Sequence, residues 1–320
     1  MNKVLLFLAA LLVAGGVHAQ SYPNRPVKVV VPWPPGQATD LAARIVAEKL
    51  SQQMGQQFVI ENKPGAGGAI GTEQVVKSAP DGYTLLAASS GPISIMPNLQ
   101  KTPYDPLADL APISLTNAVP FALLVHPSFP ASNAKEFIAL VRANPGKYTF
   151  SSSGTGATAH LFAELFNSMA QLKAVHVPYK GTAPAMTDLI GGQISYSVET
   201  VAATVGHIKA GRLKAFGVTS ARRTAALPEL APLAEAADLP GYDCVAWGGY
   251  VAPRGTPREI IERIAVEIQK AVQAADLKER FVTLGMDTAS SSPEQMAAFM
   301  RREQERYATI IRNAGIKIEQ

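Results

Sequence analysis

The chain has 320 residues, of which 47% are hydrophobic and 17% charged, and this is enough apolar material for about two packed domains. Its formal net charge of +4 is small and its lysines and arginines are scattered, which argues against a nucleic-acid partner. Cys244 is the only cysteine, so no disulfide can form within one chain and the core alone must stabilise the fold.

The first 19 residues predict an export signal. Lys3 supplies a basic start, residues 4–17 form an apolar stretch, and Val17-His18-Ala19 has the small-x-small pattern of a cleavage site. The apolar stretch is too short to cross a bilayer, which takes about 20 residues. No cysteine follows the cleavage site for lipid attachment. We therefore expect a chain that is exported, cleaved near Ala19 and free in the periplasm.

The first strand predicted after the signal is the β-branched run Val27–Val31. It leads through Pro34-Pro35-Gly36 into an amphipathic helix over residues 39–53. The free N–H groups at the start of such a helix face whatever lies above the strand. Further strands are predicted at residues 58–60 and 84–88, each followed by a helical segment. The order β-α-β-α-β indicates a parallel sheet covered by helices.

Residues 110–127 contain two strand-like runs, broken at residues 117–120, with no helix between them. A long connection of this kind suits a crossing from one domain to another. A second α/β set follows over residues 148–218, and residues 245–251 are predicted to return to the first domain. The predicted boundaries are residues 1–19 for the signal, residues 20–121 and 245–320 for domain 1, and residues 122–244 for domain 2.

Five strand ends carry small or hydroxyl residues, and ligands of open α/β sheets bind at that edge. Helix starts there supply N–H donors and a partial positive charge, worth roughly 0.3–1 kcal/mol each to a nearby anion. Glycine allows close approach of the backbone, and serine and threonine add hydroxyl groups. Any one junction is more commonly an ordinary loop, but the five together favour a cleft for a small carboxylate. The junctions are residues 35–40, 89–91, 151–156, 181–182 and 199–200.

Catalytic interpretations find little support. Residues 154–159 fit the dinucleotide pattern G-x-G-x-x-A, but no acidic residue lies between Glu164 and Asp188 to hold a ribose. There is no G-x-S-x-G motif, Cys244 has no histidine near it, and the histidines are not spaced as metal ligands. We expect no cofactor, no metal and no catalysis. His160, in the first turn of the helix after the serine-rich loop, is expected to hydrogen-bond to a ligand.

Seven ordered blocks, spread over essentially the whole mature chain, resemble the Bug-type substrate-binding proteins of tripartite tricarboxylate transporters. The blocks are YPNRPVKVVVPWPPG, ENKPGAGGAIG, APDGYTLL, SSSGTGATAHLFAELF, VHVPYKGTAPAMTDLIGGQ, HIKAGRLKAFGVTSARR and WGGYVAPRGTP. The resemblance implies a type II periplasmic binding protein, with two α/β domains joined by crossing strands and a ligand cleft between them. It also implies a small-molecule carboxylate ligand and a two-component membrane permease as partner, and we expect a monomer.

The resemblance further implies that the first βα loop and the serine-rich loop hold the ligand carboxylate through backbone amides and hydroxyls. The expected ligand-binding residues of this chain are Pro35, Gly36, Gln37, Ala38, Thr39, Asp40, Ser89, Ser90, Ser152, Ser153, Gly154, Thr155, Gly156, Thr158, His160, Thr182, Glu199 and Thr200.

Two departures from the family pattern bear on the ligand. Gln37 stands where relatives often continue with glycine, and we expect it to tune which carboxylate is accepted. Glu199-Thr200 stands where relatives often show Asp-Asn, a position that some members use for an amino group. Trp33, Tyr179 and Trp247 could wall the cleft, although aromatic residues near strand ends more often serve packing alone, and the sequence does not decide whether the ligand is aromatic. A periplasmic sensor for a membrane signalling protein shares the same fold and stays an alternative, and an enzyme is the weakest one.

Overall fold

The computed structural model describes residues 22–316, so the predicted export signal over residues 1–19 lies outside the described part. The strands are β1 (Val27–Val31), β2 (Phe58–Asn62), β3 (Thr84–Ser89), β4 (Leu110–Val125), β5 (Thr149–Ser152), β6 (Val175–Pro178), β7 (Tyr196–Thr200), β8 (Lys214–Val218), β9 (Val245–Pro253) and β10 (Asp287–Thr288). The helices are α1 (Ala38–Met54), α2 (Ala69–Val76), α3 (Met96–Leu99), α4 (Ala134–Arg142), α5 (Thr158–Met169), α6 (Thr182–Ile190), α7 (Val201–Lys209), α8 (Leu233–Ala236), α9 (Arg258–Gln273), α10 (Ala275–Thr283) and α11 (Pro293–Ala314).

The strands form one hydrogen-bonded path in the order β2-β1-β3-β9-β4-β7-β5-β6, with β8 and β10 also paired to β4. We call β1–β3, β9, β10 and the first part of β4 the first lobe, and β5–β8 with the last part of β4 the second lobe. Each lobe has the same arrangement, β2-β1-β3-β9-β4 in the first and β6-β5-β7-β4-β8 in the second. In each lobe the first three strands of this order are parallel to one another and the next strand is antiparallel to them. The carboxyl ends of the three parallel strands therefore lie at one edge of the sheet.

The chain crosses between the lobes twice. β4 pairs with β9 up to Pro120 and then exchanges it for β7 and β8 from Phe121 onward. Thr219, just after β8, fastens both crossings. Its N–H donates to Phe121 O and its hydroxyl accepts from Phe121 N–H, while the N–H of Cys244 donates to Thr219 O. We propose that the boundaries between the two domains lie at these crossings, between residues 121 and 122 and between residues 244 and 245.

β4 is one continuous strand of 16 residues, which corrects the expected break at residues 117–120. Its register against β9 shifts between Pro112 and Ser114 and between Leu115 and Asn117, and the first of these irregularities lies at a proline. Pro120 forms the last pair of β4 with β9. Because β4 changes its partner strand at this point, the N–H that proline lacks costs little hydrogen bonding.

The residues that the apolar periodicity of β1 and α1 predicted to be buried form part of the core. β1 is buried at four of its five positions, and α1 lays Ile45, Val46 and Leu50 on the sheet before ending at Gly55, whose φ of 72° favours glycine.

The C-terminal helix α11 contacts both lobes. It begins with a capping box between Ser292 and Gln295. Its Met296 belongs to the first lobe's core, and its Tyr307 stacks on Phe162 of α5 with ring centroids 6.2 Å apart.

Candidate functional site

A cleft of about 690 Å³ lies between the lobes, at the edge where the parallel strands end. The loops after β1, β2 and β3 line it from the first lobe, and the loops after β5, β6 and β7 from the second; residues of the crossing strands complete it. Of the residues that the sequence predicted for the ligand site, the following line this cleft: Gln37, Ala38, Thr39, Ser89, Ser90, Ser153, Gly154, Thr155, Gly156, Thr158, Thr182, Glu199 and Thr200. Pro35, Gly36, Asp40, Ser152 and His160 are not among its lining residues.

The two loops that face each other across the cleft are built alike. We call residues 34–37 the proline loop and residues 152–157 the serine loop. In each, a glycine with positive φ donates its N–H to a buried side chain four residues later. Gly36 (φ 84°) donates to Asp40 Oδ2 at 2.8 Å, and Gly156 (φ 76°) donates to His160 Nδ1 at 3.1 Å. Both acceptors lie in the first turn of the following helix, so each loop is tied to the helix that it precedes.

The helices after these loops begin without a side-chain cap. In α1 the first helical hydrogen bond runs from Leu41 N–H to Gln37 O, and in α5 it runs from Leu161 N–H to Ala157 O. The N–H groups of residues 38–40 and 158–160 come before these bonds and have no acceptor within their own helix. α6, whose N-cap Gly181 also lines the cleft, has no side-chain cap either.

Of the helices that begin away from the cleft, α8, α9 and α10 also lack a side-chain cap, whereas two others have one. Asn133 caps α4 and Ser292 caps α11. Three uncapped helix starts at one cleft therefore form a set of N–H donors and partial positive charges suited to an anion.

Asp40 supports the proline loop and does not line the cleft. Its side chain is 1% exposed and accepts hydrogen bonds from Gly36 N–H, from Arg44 Nε at 3.0 Å and from Asn62 Nδ2 at 2.8 Å. Burial alone would raise the pKa of Asp40, but the bonds from Arg44, Gly36 and Asn62 outweigh it and hold that pKa below its ordinary value. Pro35 and Gly36 lie on the outer side of the same loop and are exposed.

Ser152 and His160 support the serine loop in the same way. Ser152 is fully buried at the end of β5, where its hydroxyl bonds to Gly154 O at 3.0 Å and to His176 Nε2 at 2.7 Å. His160 is 4% exposed, accepts the Gly156 N–H and faces Glu164. Loop membership pointed to both residues, but their side chains turn under the loop instead of into the cleft.

Glu199 is the one ionisable side chain among the residues that line the cleft; these include no lysine, arginine or histidine. It is 2% exposed, and its carboxylate accepts from Thr182 Oγ1 at 3.1 Å and from Thr200 N–H at 2.7 Å. Burial raises the pKa of Glu199 above its ordinary value. The hydroxyl of Thr200 caps α7 by accepting from Ala203 N–H. The residues that line the cleft therefore offer backbone N–H groups and hydroxyls to a ligand, but no cationic side chain.

An apolar wall, which the sequence only suggested, faces the hydroxyl-rich serine loop. Trp33 is held in place because its Nε1 donates to Ser89 Oγ at 2.9 Å and its ring packs against Gly91. Trp247 also lines the cleft, but Tyr179 does not, since its hydroxyl bonds to Asp188. Further lining residues outside the predicted set are Gly67, Gly91, Ile95, Met96, Asn117, Val119, Phe121, Ala157, Ala159, Gly181 and Ala246. The sequence feature that could have identified these residues was their position, because most of them follow a strand end or lie on a crossing strand.

The described residues, 22–316, hold neither a metal-binding cluster nor a membrane-spanning helix. They contain no group of three or more histidine, cysteine or acidic residues that could hold a metal ion. No helix in this part of the chain is long and apolar enough to cross a membrane. A shallower hollow of about 470 Å³ lies between α1 and β2 and is lined in part by Arg44, Glu48 and Gln52.

The fold and the cleft define a class of protein. Two α/β lobes of the same strand order, joined by two crossing strands, bring their helix starts to one cleft, as in two-domain proteins that hold a small solute between their lobes. The chain belongs to the TctC family, the tripartite tricarboxylate transporter family receptors, whose family model matches residues 42–316.

Similar proteins agree with this assignment over nearly the full length. The protein BugT of Bordetella pertussis is 36% identical over 319 residues, covering 98% of this chain and 97% of BugT. Rpa4515 of R. palustris, solved with adipate, is 32% identical with a TM-score of 0.80, covering 92% of this chain and 99% of that structure. MatC of Rhodopseudomonas palustris, solved with bound malate, is 30% identical with a TM-score of 0.75, covering 91% of this chain and all of that structure.

The family consists of periplasmic solute-binding proteins and not of enzymes, and its structures share the two-domain type II-like fold. The predicted family, the α/β fold with two domains and the prediction of binding without catalysis are confirmed. The dinucleotide and hydrolase interpretations of the sequence therefore have no support.

Proposed function

We propose that this chain captures a small organic carboxylate in the cleft and delivers it to the two-component membrane permease of a tripartite tricarboxylate-type transporter. The observation that carries the proposal is the convergence of three uncapped helix starts, those of α1, α5 and α6, on a cleft lined by no cationic side chain. Similar proteins solved with adipate and with malate support the same ligand class.

The ligand carboxylate is held by N–H groups at both sides of the cleft. Ala38 and Thr39 contribute from α1, Ser153 and Thr155 from the serine loop, and Thr158 from α5. Each helix start stabilises a nearby anion by roughly 0.3–1 kcal/mol, and the effect is larger where water is excluded. Both sets of donors meet the same anion only when the lobes are closed. The ligand therefore shifts the population towards the closed state, which the permease can distinguish from the open one.

The apolar wall supports a ligand with a carbon skeleton and not a bare anion. Trp33, Met96, Phe121 and Trp247 line the cleft with ring and thioether surface. Each methylene that leaves water here contributes about 0.8 kcal/mol. Within a mono- or dicarboxylate class, aliphatic chains of several carbons and aromatic rings both fit this wall, and we propose that affinity rises with apolar area. The chain acts in the periplasm as a monomer, after cleavage near Ala19.

A thermal-shift panel tests the ligand class. Adipate, malate and benzoate are compared with adipamide, malamide and benzamide, which keep the shape and lack the charge. At a hundredfold excess over its Kd, a bound acid stabilises the folded protein by about 2.7 kcal/mol and raises Tm by several degrees. The matched amides should leave Tm unchanged. A broad panel of acids without any effect, or amides as effective as their acids, would contradict the carboxylate assignment.

A further inference from the structure

His160 and His176 lie under the serine loop as a stacked pair. Their ring centroids are 3.8 Å apart and their planes differ by 8°. The ring of Phe150 on β5 stacks on His176 in turn, with centroids 4.9 Å apart. His160 comes from α5 and His176 from β6, so two elements on either side of β5 place their rings together beneath one loop.

Each ring holds a different end of the loop. His176 Nε2 lies 2.7 Å from the hydroxyl of Ser152, which also bonds to the carbonyl of Gly154. His160 Nδ1 accepts the N–H of Gly156 at 3.1 Å. The residues between these anchor points, including Ser153 and Thr155, line the cleft.

We propose that His160 and His176 are the positioning residues of the serine loop, which keeps its ligand-binding conformation only while both rings are neutral. The proposal rests on the proposed function, since it assigns the control of that same site. Neither ring touches the ligand. They act through the loop, whose donors they hold at the cleft.

The tautomer of His160 follows from its partners. A nitrogen that accepts an N–H bond carries no proton, so the proton of the neutral ring is on Nε2, which lies 3.6 Å from Glu164 Oε1. A second proton would have to go on Nδ1, where it would face the Gly156 N–H. The bond would be replaced by a contact between two donors, and the loop would have to move.

The titratable groups around His160 are Glu164 on its own helix, His176 on β6 and, beyond Phe150, Tyr196 on β7. Burial, and then the neighbouring His160, lower the pKa of His176 to about 4, so this ring stays neutral in mildly acidic solution. Two rings at stacking distance accept one proton between them.

The proline loop provides an internal comparison. There the acceptor for Gly36 N–H is the carboxylate of Asp40, whose pKa is held below its ordinary value. That carboxylate stays ionised while imidazoles titrate, so the first lobe's loop keeps its anchor where the second lobe's loop loses one. Carboxylate affinity should therefore fall with decreasing pH through the second lobe alone.

Amide hydrogen exchange of the ligand-free protein tests the anchor directly. Exchange rates for residues 152–157, corrected for intrinsic pH dependence, are measured at about pH 5.5 and about pH 7.5, which bracket imidazole titration. Protection should be about tenfold lower at the acidic pH, as expected for one lost buried hydrogen bond, while residues 34–37 keep theirs. Equal protection of the serine loop at both pH values would overturn the proposal, and this measurement needs neither ligand nor variant.

His160→Asn separates anchoring from titration, because Asn Oδ1 can take the place of Nδ1 as acceptor and does not ionise. His126→Asn, at a surface turn where Nδ1 bonds to Ser128, is the matched control. Adipate affinity should fall about tenfold more between the two pH values in the parent protein and in the control than in His160→Asn. The same pH dependence in all three proteins would refute the role of His160. If adipate, malate and benzoate all fail to bind at the higher pH, the proposed function fails, and the exchange measurement still decides the role of the histidines.

Discussion

Replacing Asp40 with asparagine tests how the proline loop is held. The two carboxylate oxygens accept from four donors. Oδ2 accepts from Gly36 N–H at 2.8 Å and from Arg44 Nε at 3.0 Å, and Oδ1 accepts from Asn62 Nδ2 at 2.8 Å and lies 3.0 Å from Arg44 Nη2. Asparagine keeps one oxygen and places an NH₂ group at the other position. Whichever way the amide turns, two of the four donors then face another donor.

The magnitude follows from these contacts. A hydrogen bond to a charged group contributes about 1.5–3 kcal/mol, and a buried donor left without an acceptor costs about 1–3 kcal/mol. Arg44 is 48% exposed and regains water, which reduces its share. We expect Asp40→Asn to lower the free energy of unfolding by about 2–4 kcal/mol in urea titrations followed by circular dichroism. Asp276→Asn removes a carboxylate that is 63% exposed and serves as the control, which should leave the urea midpoint almost unchanged.

The loss of stability caused by Asp40→Asn should also depend on pH. The pKa of Asp40 is lower in the folded protein than in the unfolded chain, so its contribution is complete above the unfolded value of about 4 and is lost as pH falls through the folded value. The difference between parent and variant should shrink from about pH 5 to about pH 3. A difference below about 1 kcal/mol at neutral pH, or one that stays constant in acid, would refute this account of the loop.

Three further substitutions probe the cleft. Thr155→Trp changes an exposed loop position and should leave the unfolding curve unchanged. Because the ring would fill the cleft, carboxylate binding measured by calorimetry should weaken by at least about a hundredfold. Unchanged affinity would mean that the serine loop does not hold the ligand. Trp33→Leu should reduce affinity for adipate or benzoate by about tenfold and for acetate much less, and an equal loss for all three would argue against an apolar wall. Glu199→Gln should be as stable as the parent, or more so, at neutral pH, because the raised pKa of Glu199 means that its ionised form opposes folding increasingly as pH rises above the unfolded value. Strong destabilisation by Glu199→Gln at neutral pH in urea titrations would show that the ionised form is required.

Much of the fold could be predicted from local patterns. The strand at residues 58–60 and the helix at residues 39–53 were placed within a few residues of Phe58–Asn62 and Ala38–Met54. Buried parallel strands and amphipathic helices leave strong periodic signals. β4 was predicted in two pieces because its prolines resemble strand breaks. Pro120 instead lies where β4 exchanges β9 for β7, and these partners are more than 70 residues further along the chain, where no local pattern reports them.

The candidate site, like the fold, was predicted only in part. Strand ends and glycines identified the loops, because those signals concern the backbone. The direction of individual side chains could not be predicted, as Asp40, Ser152 and His160 show. Each bonds back to its own loop, and a residue that supports a binding loop has the same position in sequence as one that lines it. The stacking of His160 on His176 depended on the pairing of β5 with β6, which only the folded chain displays.

The place of β9 between β3 and β4 has a consequence for the order in which the two sheets form. The sheet of the second lobe has all its strands once residue 218 has emerged, and its parallel strands need no later partner. The first lobe has its β1, β2 and β3 early, but its sheet lacks a central strand until residues 245–253 arrive. Until then the edges of β3 and β4 stand open, and open strand edges invite pairing with other chains. The lobe that begins the sequence is therefore the last to close.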